Sequence, residues 1–118
     1  MKILLLSPPY LKEYMRNARC DFVSLSGTQW YPILLGYSGA LLAKYGYDVK
    51  LVDAPSYYLD HNDTKKIVKN FSPDLLVVYS GYKSEDNDVK FADELVEELN
   101  TNAVFVGPYA SIAPENLL

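Results

Sequence analysis

The sequence predicts an α/β fold, a three-layer sandwich around a parallel sheet. Four apolar runs of strand length alternate with three segments of helical periodicity along the 118 residues. A strand–helix–strand alternation joined by right-handed crossovers gives a parallel sheet with helices on both faces. The length is enough for one domain with its own core but not for two, so we expect a single domain over residues 1–118.

The four predicted strands are short and apolar, as is usual for strands buried in a parallel sheet. Lys2–Ser7 ends at two prolines, which cannot continue a hydrogen-bonded ladder. Asp48–Asp53 alternates only in part and is expected near an edge of the sheet. The other two strands are Leu75–Tyr79 and Ala103–Val106. The predicted order is 2-1-3-4, as in flavodoxin-like or Rossmann-like folds, with room for a fifth strand after residue 118.

Helices are predicted between these strands. Pro32 suits the first turn of a helix that Gly46 would terminate in a left-handed conformation. Asp60 is a capping candidate for a second helix, which ends near Phe71. A third helix is expected from about Asp88 to Asn100, and one more could begin at Pro114-Glu115. The apolar stripe of the first helix comprises Leu34, Leu35, Ser38, Leu41, Leu42 and Tyr45.

The segment from Pro9 to Pro32 has no clear period. A structureless connection of that length is uncommon in a compact domain and is usually functional or disordered. Lys12, Arg16 and Arg19 give it a positive bias, suited to an anionic group of a ligand, to the surface of a partner domain or to solvent. Cys20 is interpreted as an inert thiol between Arg19 and Asp21.

Composition excludes several classes of function. The net charge of −4 and the pI of about 4.8 argue against nucleic acid as a partner. No apolar run approaches the roughly 18 residues of a membrane span, so a cytoplasmic location is expected. One cysteine and one histidine exclude an internal disulfide, a cysteine-rich cluster and a multi-histidine metal site. His61 is interpreted as a solvated loop residue, and no convincing catalytic set is present.

Two short turns follow buried strands and bring small residues to the strand ends. They are Ser80-Gly81-Tyr82 and Gly107-Pro108-Tyr109. Ligands of open parallel sheets dock at the carboxyl ends of the strands, where the strand order reverses. The turns therefore predict a small-molecule site. Asp53 also ends a strand, but no Gly-x-Gly-x-x-Gly accompanies it, and we interpret it as a capping or solvent-contacting residue.

In nearly all of its length the chain resembles the cobalamin-binding domains at the amino terminus of radical S-adenosylmethionine enzymes. The matching stretches are Lys2-Ile-Leu-Leu-Leu-Ser-Pro-Pro9, Gln29-Trp-Tyr-Pro32, Gly46-Tyr-Asp-Val-Lys-Leu-Val-Asp-Ala54, Phe71-Ser-Pro-Asp-Leu-Leu-Val-Val78 and Val106-Gly-Pro-Tyr-Ala-Ser111 followed by Pro114-Glu115. Their order and spacing carry the resemblance more than any one of them.

The wider cobalamin-binding family has three strand-end signatures. Ser80-Gly81-Tyr82 stands at the Ser-x-Leu signature, and Gly107-Pro108 stands at the Gly-Gly signature. The Asp-x-His-x-x-Gly signature is absent, because no histidine lies between Ser7 and Pro32. That departure is common in the radical enzymes, where the resemblance implies cobalamin with a displaced tail and no protein histidine on the cobalt.

The resemblance implies a cofactor-binding module without catalytic residues or metal ligands of its own. Its parent would be a longer radical enzyme for methyl transfer or for ring or carbon-skeleton rearrangement, whose other domain holds S-adenosylmethionine and an iron–sulfur cluster. The residues expected to bind cobalamin are Pro9, Tyr10, Gln29, Trp30, Tyr31, Ser80, Gly81, Tyr82, Gly107, Pro108 and Tyr109.

Two alternatives stay open on the sequence. One is a flavodoxin-like interaction or scaffold domain without a cofactor, whose crevice would be filled by its own aromatic side chains. The other is a nucleotide-sugar-binding enzyme domain of glycosyltransferase type, which the absence of a catalytic carboxylate pair disfavours.

Overall fold

A four-stranded parallel sheet forms the centre of this computed structural model, which describes residues 1–16 and 21–117. The strands of the described residues are β1 (Lys2–Ser7), β2 (Tyr14–Arg16), β3 (Asp21–Val23), β4 (Asp48–Asp53), β5 (Leu75–Tyr79) and β6 (Asn102–Val106). The central order is β4-β1-β5-β6, and each neighbouring pair is parallel. The α/β fold and the 2-1-3-4 order predicted for these four strands are confirmed.

The sheet is packed on both faces because its central strand is apolar on both sides. Leu4 and Leu6 of β1 belong to the larger core cluster, with Val68, Phe91 and Leu95 from the helices beneath it. Leu5 points to the other face and packs with Leu35 and Tyr79 in a smaller cluster. The two clusters differ in size because different numbers of helices cover the two faces.

Four helices lie among the described residues: α1 (Ile33–Lys44), α2 (His61–Phe71), α3 (Glu85–Leu99) and α4 (Pro108–Ile112). The predicted cap of α2 is present, since the Asp60 carboxylate accepts the Asp63 N–H at 2.8 Å. α3 begins three residues earlier than predicted. α4 was not predicted, and Pro114–Leu117 forms a 3-10 turn instead of an α-helix.

The buried face of α1 is narrower than the predicted stripe. Leu35 and Gly39 are buried, and a Cβ on Gly39 would lie 3.1 Å from Leu5 Cδ1. Leu34, Leu41 and Tyr45 are more than half exposed. The stripe was wrong at these positions because α1 is apolar nearly all round, and periodicity then cannot select the buried side.

Part of the segment from Pro9 to Pro32 is an antiparallel hairpin of β2 and β3, with Met15 opposite Phe22 and Arg16 opposite Asp21. Arg19 and Cys20 lie outside the described residues. Among the helices that are described, none is long and apolar enough to cross a bilayer.

Candidate functional site

A cavity of about 350 Å³ opens at the carboxyl ends of β1, β4 and β5. Ser7, Asp53 and Tyr79, the last residues of these strands, form its floor. The β2 strand lines a second side, and residues 29–34 around the start of α1 line a third. The chain order reverses between β1 and β5, so this is the crevice where open α/β sheets bind ligands.

Three of the predicted site residues line this cavity: Gln29, Trp30 and Tyr31. Trp30 is 61% exposed and Tyr31 is 88% exposed, so both rings present an apolar surface to solvent. The Trp30 N–H donates to Met15 Sδ at 3.2 Å, which ties this segment to the hairpin. Gln29 Nε2 is buried without a hydrogen-bond partner in the part of the chain that the structure describes. A buried donor of this kind is costly unless something accepts from it.

Asp53 is a buried cavity residue, which contradicts one of its two interpretations from the sequence, that of a solvent contact. It is only 6% exposed, lines the cavity and accepts a hydrogen bond from the Ser56 hydroxyl. Burial raises the pKa of its carboxyl, while hydrogen bonds from Ser56 and Ser7 act in the opposite direction. The interpretation of Asp53 as a solvent contact was wrong, because the turn at Pro55–Tyr57 folds over the strand end.

A buried ion pair fixes the hairpin to the sheet beside the cavity. The Arg16 guanidinium donates to both carboxylate oxygens of Asp88, at 2.7 and 3.3 Å, and both side chains are almost fully buried. The same guanidinium donates to the Pro8 carbonyl at 2.8 Å and to Ser84 Oγ at 3.0 Å. Burial raises the pKa of Asp88, and Arg16 opposes that rise. Asp88 is therefore a buried acid in the first turn of α3.

The Ser80-Gly81-Tyr82 turn is filled by the protein's own carboxylates. Asp21 of β3 accepts from the backbone N–H of Tyr82 and from the Tyr14 hydroxyl, and Asp88 accepts from the Gly81 N–H at 3.2 Å. A Cβ on Gly81 would lie 2.1 Å from Asp21 Oδ2. Burial raises the pKa of Tyr14, so its hydroxyl stays protonated and keeps donating to Asp21. The turn needs glycine because a carboxylate occupies the place of a side chain.

The Gly107-Pro108-Tyr109 turn lies directly beside the first turn. Gly107 has φ +113°, and a Cβ there would be 2.8 Å from the Ser80 carbonyl and 3.3 Å from the Tyr79 ring. The Ser80 N–H donates to the Val106 carbonyl, and Ser80 Oγ is buried without a described partner. Pro108 starts α4, and the Tyr109 hydroxyl accepts from Asn116 at 2.9 Å.

Pro9 and Tyr10, which were also predicted as site residues, lie outside the cavity. The Pro9 carbonyl accepts from Asn87 at 2.8 Å, and the Tyr10 ring packs edge-on against Tyr14 with 4.7 Å between centroids. Neither residue lines the cavity, nor do the residues of the two glycine turns. The structure thus groups the predicted residues as a cavity set (29–31) and a neighbouring turn set (80–82 and 107–109).

The cavity also has residues that sequence reasoning missed, namely Ser7, Tyr14, Met15, Arg16, Asp53 and Tyr79. The strand-end position of Ser7, Asp53 and Tyr79 was a usable signal. Among the hairpin residues, Arg16 carried a signal through its positive charge, whereas Tyr14 and Met15 carried none, since a three-residue strand has no readable period.

No group of three potential metal ligands is present among residues 1–16 and 21–117. His61 lies on the α2–α3 side, where its ring packs against Phe91 and Nε2 is 3.2 Å from Asn87 Oδ1.

Two curated proteins are similar to this chain over nearly its full length. One is the cytidylyl-2-hydroxyethylphosphonate methyltransferase of Streptomyces wedmorensis, which is 29% identical over 136 aligned residues, covering 99% of this chain and 24% of that protein. The other is the uncharacterized methyltransferase PH0819 of Pyrococcus horikoshii, 29% identical over 117 residues, covering 98% and 23%. No protein-family model and no solved structure matches. The chain spans about a quarter of the length of these relatives.

Proposed function

We propose that this chain is the cobalamin-binding module of a larger methyltransferase of the radical S-adenosylmethionine type. The observation that carries the proposal is the cavity at the strand-order reversal, with exposed aromatic rings at its mouth. The similarity to two methyltransferases about four times as long is consistent with a module of a larger enzyme.

The size of the cavity indicates which part of cobalamin it would take. Its volume of about 350 Å³ lies at the low end of the roughly 300–1,000 Å³ that ligand pockets span. The nucleotide tail would enter it, and the broad corrin would lie outside, against Trp30 and Tyr31. In this arrangement the glycine turns at residues 80–82 and 107–109 border the corrin from the adjacent strand ends.

The polar groups of the cavity suit a nucleoside-like tail. Gln29 lines the cavity, and its amide Nε2, buried without a partner among the described residues, would turn toward the cavity to donate to a tail oxygen or ring nitrogen. Asp53 would accept from a ribose hydroxyl, the role of an acid at a corresponding strand end in dinucleotide-binding folds. We assign no protein histidine to cobalt, since His61 lies against Phe91 in another part of the fold.

When bound, cobalamin supplies the methyl-transfer chemistry. The residues of this chain would bind the tail, orient the corrin and exclude water from the cavity. S-adenosylmethionine and an iron–sulfur cluster would belong to the parent enzyme. Since no catalytic group is assigned here, the chain alone would not turn over.

Hydroxocobalamin binding tests the proposal. The chain is mixed with hydroxocobalamin, free ligand is removed by gel filtration, and the corrin absorbance that stays with the protein is measured. Tyr31→Ala is expected to lower retention severalfold, whereas Tyr57→Ala should not, because Tyr57 is also largely exposed but does not line the cavity. Equal loss in the two variants, or no retention by wild type, would contradict the proposal.

A nucleotide site is the second candidate, because Asp53 could hold the ribose of a nucleotide sugar as well as that of cobalamin. Thermal shift with cytidine monophosphate and a nucleotide sugar separates the two candidates. Stabilisation by these ligands without corrin retention would favour the nucleotide-sugar function.

A further inference from the structure

A long stretch of this chain is almost without charge. From Phe22 to Tyr47, 26 residues in all, Lys44 is the one charged residue, although 22% of the whole chain is charged. The stretch contains the cavity mouth and the whole of α1. Solvated helices carry charges on their outer face. The lack of charge is therefore unusual for a helix whose outer face is in contact with water.

The outer face of this stretch is apolar and exposed. From the cavity mouth to the end of α1, the large apolar side chains that are more than half exposed are Trp30, Tyr31, Ile33, Leu34, Tyr37, Leu41 and Tyr45. Ile33, Tyr37, Leu41 and Tyr45 are spaced four residues apart and therefore form one row along α1. We call these seven residues the α1 patch.

The area of the α1 patch exceeds that of an ordinary monomer surface. Seven such side chains expose on the order of 1,000 Å² of mainly apolar surface. The largest apolar patch on a typical monomer is about 300–600 Å², and a stable interface buries about 800 Å² on each partner. The core of a protein–protein interface is also rich in aromatic side chains and poor in charged ones, as the α1 patch is.

We propose that the α1 patch docks the catalytic part of the methyltransferase, through an uncharged apolar surface on that part. This inference rests on the proposed function. Both relatives contain about three quarters of their length beyond the portion that this chain matches. The patch begins at the cavity mouth, since Trp30, Tyr31, Ile33 and Leu34 belong to both. A domain docked there would cover the cofactor and exclude water from it. A second copy of this chain could also cover the cofactor, but it would bring no catalytic group to it.

Site-specific photo-cross-linking tests this surface in the natural polypeptide, expressed in the organism that produces it. p-Benzoylphenylalanine replaces Tyr37, at the middle of the patch, and in a matched control it replaces Lys66. Both side chains are about three-quarters exposed. Lys66 is on α2, which packs on the opposite face of the sheet from α1. Cross-linked peptides are identified by mass spectrometry.

The expected result is a cross-link from position 37, and not from position 66, to peptides that align with the parts of the two methyltransferases outside the matched quarter. Leu41→Glu, in the same background, should lower its yield at least fivefold. A link from position 37 only to α1 of a second copy would overturn the inference. A yield no higher than that from position 66, or one that Leu41→Glu does not change, would overturn it too.

Hydroxocobalamin retention separates this inference from the proposed function. Tyr37 and Leu41 do not line the cavity, so when retention is measured on residues 1–118 alone, Leu41→Glu should retain the corrin as wild type does. The expected cross-link without any corrin retention would support the docking surface and count against cobalamin alone. Loss of retention in Leu41→Glu would place the patch in the cofactor site and overturn the docking role.

Discussion

Two regions at the same edge of the sheet differ in whether the space beside the strand ends is open or filled. At the ends of β1 and β4 a cavity of about 350 Å³ stays open, with a buried amide that has no described partner. At the end of β5, the Ser80-Gly81-Tyr82 turn is filled by the carboxylates of Asp21 and Asp88. Small residues at a strand end thus make room, but the neighbouring segment decides whether a ligand or the protein itself uses that room.

Arg16 connects the two regions. Arg16 lines the open cavity, and its buried guanidinium pairs with Asp88 at the filled turn. The β2–β3 hairpin therefore covers the open cavity, and its contacts at the filled turn hold it in that position. We therefore expect that a substitution which disrupts the contacts at the filled turn also weakens ligand binding in the cavity.

The largest effect is expected from Arg16→Met, which removes the charge that holds the hairpin. Asp88 would be left buried and unpaired, and breaking a buried ion pair in this way costs about 3–5 kcal/mol. The free energy of unfolding is measured by urea denaturation, and corrin retention is measured at a denaturant concentration where the variant is still folded. Retention should fall as well, because the roof of the cavity detaches.

The double variant Arg16→Met with Asp88→Leu is the matched control. Replacing both charges removes the unpaired carboxylate, so at least half of the lost stability should return. A single variant within 1 kcal/mol of wild type, or a double variant no better than the single one, would mean that the hairpin is fastened mainly by Asp21.

The sheet was predictable from the sequence because each of its strands carries a strong local signal. Lys2–Ser7 and Leu75–Tyr79 are buried apolar runs with clear ends, and the alternation with helices fixes the parallel order. The hairpin was not predictable. β2 and β3 are three residues each, and their position depends on Arg16 and Asp21 meeting groups more than 60 residues away.

The cavity was predictable only just before the start of α1, since the predicted strand-end turns at residues 80–82 and 107–109 do not line it. Residues 29–31 were expected at the crevice, and they line the cavity. The pairing of Arg16 with Asp88 is a tertiary event, and in sequence Asp88 is one of several acids at the start of a helix. Asp53 was recognisable as a strand-end acid, but its burial depends on the turn at Pro55–Tyr57, which has no periodic pattern.

Gly81→Ala sharpens the comparison with a smaller effect. The new Cβ would meet Asp21 Oδ2 at 2.1 Å and Ser84 Oγ at 2.9 Å, so the carboxylate must shift. We expect a loss of about 1–3 kcal/mol in the free energy of unfolding, as for overpacking of a filled site. Gly36→Ala is the control. It lies in α1 with no atom within 4 Å of the new Cβ, and alanine there should add about 0.5–1 kcal/mol. Equal effects in the two variants would show that the turn is not filled in solution.

The smallest effect is expected from Asp53→Asn, which tests the open region through its pH dependence. Burial raises the pKa of the Asp53 carboxyl above its ordinary value of 3.8. The folded state therefore holds this proton more tightly than the unfolded state, and stability falls as the pH rises from about 3.8 through the raised pKa. Asparagine keeps an acceptor for Ser56 and removes that loss.

The Asp53→Asn variant should therefore be more stable than wild type at pH 7, and the difference should disappear below about pH 3.8. Urea denaturation at the two pH values measures it, with Asp93→Asn, on the exposed side of α3, as the control for removing one negative charge from a chain of net charge −4. A variant less stable than wild type at pH 7 would mean that the hydrogen bonds from Ser7 and Ser56 outweigh burial.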